Sequence, residues 1–120
     1  MGLFDRFRGA VTGGSGRSRT GSSDDADIRA LTEWVRAHEG VEGFIEPKTT
    51  VTDVTAVLVA ADGEWTRRIV GERGARRLAS ELRIPVYDVS RTGYPRRMRD
   101  YDARKRIERQ RAFEDELRDL

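Results

Sequence analysis

"VTAVLVAADGEWTRRIVGERGARRLASELRIPVYDVS", Val54 to Ser90, decides the fold. Its opening run, Val54 to Ala61, is continuously apolar and β-rich, the pattern of a central strand buried on both faces. Asp62-Gly63 is a good hairpin turn, so "WTRRIV" returns beside that strand as its partner. Helical spacing then takes over from about Glu72 to Arg83, where Ala75, Leu78, Ala79 and Leu82 share an inner face, and "IPVYDVS" resumes as a strand. Strand, turn, strand, helix, strand closes most economically as a small mixed sheet covered by helices.

Working upstream, "GFIEP" reads as a further strand, and a helix is expected from about Asp24 to Glu39. Ser23 is placed to cap it, Asp24, Asp25 and Asp27 favour the positive end of its dipole, and Gly40 is placed to end it. Ile28, Leu31, Trp34 or Val35, and His38 recur on one face. His38 falls in the last turn, where a carbonyl or cation role fits better than catalysis, since no nucleophile or acid is visible nearby. Downstream, the chain from Tyr94 is expected to be helical to its end. Tyr94, Met98 and Tyr101 are spaced to dock, and beyond them Ile107, Phe113 and Leu117 are thinly spread among charges. Four-residue pairs, Asp100 with Arg104, Asp102 with Arg106 and Glu114 with Arg118, support that arm. The fold class expected is α/β (α+β): a mixed sheet of three to four strands covered by helices, with a protruding charged C-terminal helix. The organisation expected is a tail over 1–22, a domain over 23–101 and a helical extension over 102–120.

Composition narrows the chemistry. A chain of 120 residues forms one core with appendages. It has no cysteine, which removes disulfides, thiolate metal sites and thiol nucleophiles, and its single histidine removes multi-histidine metal sites. No catalytic residue, metal ligand or cofactor is nominated. "EPK", Glu46 to Lys48, has the glutamate-x-lysine spacing of metal-dependent nucleases, but no aspartate on an earlier strand completes it. Pro47 points instead to a loop or edge. No apolar run is long enough to cross a bilayer and no signal-peptide core is present, so a cytoplasmic protein is expected. Leu3, Phe4, Phe7 and Val11 lie on one side of a short helix, a candidate anchor whose small apolar area argues against membrane association. "TGGSGRSRTGSS", Thr12 to Ser23, reads as a linker.

Net charge is only +2, yet it is segregated: acids dominate Ser23 to Gly63 and arginines dominate Glu64 to Arg111. Lysine occurs only at Lys48 and Lys105, so nearly every cation is a guanidinium, a fork suited to phosphate and carboxylate. The expectation is that the fold gathers Arg67, Arg68, Arg73, Arg76, Arg77, Arg91, Arg96 and Arg97, with Tyr94, on a common side. Such a surface suits a non-catalytic binding module for an anionic partner, RNA or the ribosome first and an acidic protein second. A second expectation is a small-ligand or enzymatic anion site at the end of the last strand, from Asp88, Ser90, Arg91, Tyr94 and Arg96.

Three resemblances accompany these readings. "IVGERGARRLASELRIPVYDV" resembles the G-x-x-G loop, following helix and strand of a KH domain, which implies a clamp on a nucleic-acid backbone with Arg73, Arg76 and Arg77 at phosphates. In that family the loop joins two helices, whereas "EWTRRIV" ahead of Gly71 reads as a strand. The order helix, strands, helix is similar to a double-stranded RNA-binding domain. "EPKTTVTDVTAVLVAADGEWTRR" and "IPVYDVSRTGYPRRMRDY" resemble small uncharacterised actinobacterial proteins, some labelled oxidoreductase. No site residue follows from that family, and the chain has neither a dinucleotide fingerprint nor a redox cysteine.

Overall fold

The computed structural model describes residues 21–120, so the amphipathic start and most of the linker lie outside the described residues. The elements follow in the order α1 (Gly21–Arg36), β1 (Glu42–Glu46), β2 (Thr55–Val59), β3 (Trp65–Ile69), α2 (Gly71–Glu81), β4 (Val86–Asp88), α3 (Val89–Thr92) and α4 (Arg96–Arg118). The four strands form one sheet in the order β3-β2-β1-β4. β2 runs antiparallel to both neighbours, and β4 runs parallel to β1. Hence β1, β3 and β4 end on the same side of the sheet.

The architecture is the mixed four-stranded α+β sheet that the pattern predicts, and the reason is visible at β2. All five of its residues are buried, so both faces of the sheet must be covered. Side chains alternate along a strand, which sends Ala56 and Leu58 one way and Val57 and Val59 the other. Ala56 and Leu58 pack with Ile28 and Leu31 of α1 and with Leu78 and Leu82 on and just after α2. Val57, Val59 and Phe44 pack with Trp65, Val89, Tyr94 and Met98, under α3 and the start of α4. The result is three layers: α1 and α2, the sheet, then α3 with the root of α4.

Element ends moved for identifiable reasons. α1 is described over Gly21–Arg36, a range that includes Ser23, and it ends at Arg36 with one further helical bond from Ala37 N–H to Glu33 O. The last strand stops at Asp88 because the Asp88 carboxylate accepts from the Ser90 N–H at 2.9 Å, capping the short α3. Ser90 therefore sits in a helix rather than a strand. His38 takes the bland role expected: its Nδ1 lies 2.7 Å from Trp34 O, its ring stacks on Trp34 at 3.7 Å, and its Nε2 lies 3.3 Å from Glu64.

α4 is held at its root and free beyond it. Arg97 reaches back to Glu42 at 2.6 Å and to Ala60 O at 2.9 Å. Asp102 accepts from Trp65 Nε1 at 2.8 Å, and Arg104 donates to Asp62 O at 2.8 Å. These contacts replace the expected pairings of Asp102 with Arg106 and Asp100 with Arg104; Asp100 lies 3.9 Å from Arg96 instead. Arg118 lies 3.6 Å from Asp115, not against Glu114. From Ala103 onward every residue is exposed, so the helix protrudes.

Candidate functional site

The arginines do not gather on one side. Arg67 and Arg68 are neighbours on β3 and so point to opposite faces of the sheet. Arg67 meets Glu46 at 2.5 Å, on the face where the Tyr94 hydroxyl also donates to Glu46. Arg68 meets Asp27 of α1 at 2.7 Å on the other face, where burial pulls its pKa below the usual guanidinium value. Arg77 lies 2.6 Å from Asp25 and 2.8 Å from Glu81; hydrogen bonds to Glu81 and then Asp25 hold it further toward the cation. Arg97 is bound to Glu42.

The charge segregated along the chain is therefore matched in space. The acids of α1 and β1 lie against the arginines of β3, α2 and α4, which corrects the expectation of a lopsided molecule. Burial explains why: Asp24 and Asp27 are 2% and 6% exposed, and a buried carboxylate requires a cation or donors beside it. The signal was present in the sequence as three aspartates in one helical turn, read there as dipole partners only. Glu46, noted for its spacing to Lys48, is occupied by Arg67 and Tyr94 rather than poised for a metal.

Four members of the nominated set remain available to a partner. Arg73 and Arg96 have their nearest acids at 3.9 Å and are 73% and 85% exposed, contacts that solvent screens. Arg76 and Arg91 are exposed and form no ion pair among the described residues. Arg76 lines a cleft of about 330 Å³ at the carboxyl ends of β1 and β4, together with Glu72, Ile45, Val86, Tyr87 and Asp88. Arg91, on α3, is not part of that lining, but its charge reaches Asp88. The Asp88 carboxyl is held below the usual range, first by the Ser90 hydroxyl and backbone N–H and then by Arg91. Of the second nominated site, Asp88, Ser90 and Arg91 belong to this end of the sheet. Tyr94 is committed to Glu46, and Arg96 stands at the root of α4, after Pro95, which supplies no side-chain cap.

The glycine step that opens α2 positions Arg73 and Arg76. Gly71 adopts φ +73°, a left-handed conformation that lets β3 turn directly into the helix, and its N–H shares Val54 O with the N–H of Val70. At Gly74 an added Cβ would meet Val70 Cβ at 2.8 Å, so the helix can lie this close to the strand end only without a side chain there. Gly71 to Gly74 thus forms the first turn of α2, immediately after a strand.

No protein-family model, curated protein or solved structure matches the chain.

Proposed function

We propose that the protein is a non-catalytic binding module that holds single-stranded RNA across the strand-end cleft. The observation that carries the reading is the contrast between committed and available cations. Arg67, Arg68, Arg77 and Arg97 are used inside the fold, whereas Arg76, which lines the cleft, and Arg91, on α3 with its charge reaching Asp88 of the lining, form no ion pair among the described residues. Tyr87 is 38% exposed, and its ring lies against Phe44 at 5.6 Å on the sheet face that α3 covers, where it offers a base a stacking surface. Arg73 precedes Arg76 by one helical turn on α2 and extends the track.

The test is binding of a mixed-sequence RNA oligonucleotide by fluorescence anisotropy over a salt series. Four phosphate contacts on a single strand release counterions and give a log–log slope of about −3. Arg76→Ala with Arg91→Ala should weaken binding and reduce that slope by about half. Absence of binding at low salt, or a slope near zero, overturns the RNA reading; capture of an acidic polypeptide under the same conditions would move the cleft to a protein partner.

The cleft itself supports a second reading. At about 330 Å³ it matches the lower range of small-ligand sites and lies where parallel strands end. A phosphorylated metabolite held in the cleft at Arg76 would raise the melting temperature, and Arg76→Ala would abolish that rise.

A further inference from the structure

Beyond Arg104, which bonds Asp62 O, and the intrahelical pairs Lys105 with Glu108 and Arg118 with Asp115, α4 carries two features that its own domain leaves unused. The first is apolar. Ile107, Phe113, Leu117 and Leu120 are 48%, 60%, 53% and 98% exposed. At about 100° per residue Ala103, Ile107, Phe113 and Leu117 fall in one stripe, centred about 150° away from the side carrying Met98 and Tyr101, and Leu120 follows the helix end. That stripe faces away from the sheet to which the root of the helix is docked.

The second is electrostatic. Arg104, Lys105, Arg106, Arg109 and Arg111 occupy the first half of the free segment, and Glu114, Asp115, Glu116 and Asp119 occupy the second. Acids crowd the C-terminal turns, where the helix dipole disfavours them. Arg106, Arg109, Arg111, Glu116 and Asp119 have no ion pair among the described residues. A helix with one cationic and one anionic half complements a copy of itself laid in the opposite direction.

We propose that this segment pairs antiparallel with the same segment of a second copy, centred on Gln110. Each position then faces the one equally distant on the other side of Gln110. Along the stripe, Ala103 meets Leu117 of the partner subunit, Ile107 meets Phe113 of the partner subunit, and Arg106 meets Glu114 of the partner subunit. Every residue of the stripe from Ala103 to Leu117 gains a neighbour of matching character. The overlap of about 15 residues spans roughly 22 Å, a small interface, so the dimer is concentration-dependent.

Sedimentation velocity of the full chain over micromolar to submillimolar concentrations tests the pairing. The expected result is a monomer–dimer equilibrium. Reversing Glu114→Arg should weaken it about tenfold, and adding Arg106→Glu in the same chain should restore it. Both positions are exposed and form no ion pair among the described residues, so the fold tolerates the changes, and far-UV circular dichroism verifies this. Because the chain has no cysteine, orientation is read by oxidising a mixture of Ala103→Cys and Leu117→Cys proteins. Preferential mixed disulfides support the antiparallel arrangement. A monomer at every concentration, disulfides favouring like positions, a dimer indifferent to the charge reversals, or a dimer lost on deleting residues 1–20 would each overturn the proposal.

Discussion

Replacing Gly63 by alanine isolates the seat of the C-terminal helix. Gly63 adopts φ +94° in the turn between β2 and β3, and an added Cβ would lie 2.1 Å from Arg97 O and 2.8 Å from Tyr101 Cβ. The atoms in the way are helix backbone and the stem of a side chain, which cannot rotate aside, so either the hairpin distorts or α4 lifts. Lifting breaks the bond from Trp65 to Asp102, the reach of Arg97 to Glu42 and Ala60 O, and the packing of Met98 on the sheet. A charged hydrogen bond contributes about 1.5–3 kcal/mol, and the left-handed conformation costs an alanine about 1 kcal/mol more. The expected destabilisation is therefore about 3 kcal/mol or more, which in a domain of this size lowers Tm by roughly 12 °C or more. Gly93→Ala is the control: it shares a positive φ, +67°, but nothing lies within 4 Å of its added Cβ, so it should lose only the conformational part. Urea unfolding followed by far-UV circular dichroism and tryptophan fluorescence measures both. Equal losses for the two variants would refute the idea that α4 is seated on the hairpin.

Two further predictions concern the internal ion pairs and caps. Arg68→Ala removes the guanidinium beside Asp27, whose side chain is 9% exposed, and should destabilise the fold by about 2–3 kcal/mol; a double-mutant cycle with Asp27→Ala showing no coupling would contradict it. Ser90→Ala removes the hydroxyl that does most to hold the Asp88 carboxyl below the usual range. A depressed folded-state pKa contributes stability above the unfolded value and loses it as pH falls through the folded one. The difference in Tm between wild type and Ser90→Ala should thus be full at neutral pH and vanish in acid, and a difference that persists at the acid end would show that the hydroxyl acts otherwise.

The layered fold was legible wherever one physical requirement dominated a short segment. The apolar run from Val54 to Ala61 demanded cover on both faces, Asp62-Gly63 demanded a turn, and the spacing of Leu78 and Leu82 demanded a helix packed on the result. α3 was not legible, because Val86 to Ser90 has the composition of a strand and only the Asp88 side chain, acting on Ser90, ends it. The four-residue pairs assumed for α4 failed at Asp102 for a related reason. Helical spacing finds neighbours on the same element, whereas Trp65 arrives from 37 residues away and offers an indole N–H in a partly buried place. The charge distribution was the largest misreading. A one-dimensional record shows acids and arginines in separate blocks, and folding lays the blocks against each other. The available pair, Arg76 and Arg91, became distinguishable only after the committed ones had been accounted for.

β3 forms one border of the sheet, and its middle carries Arg67 and Arg68, each fastened to a carboxylate on its own face. An unguarded border of five residues, containing tryptophan and isoleucine and leading into valine, would invite a strand from another molecule and so seed fibres. Two tethered ion pairs, one on each face, make such docking unfavourable, since a newcomer would have to strip water from both in order to lie along the border. The same pairs that tie β3 to β1 and to α1 thus guard the exposed margin against accretion.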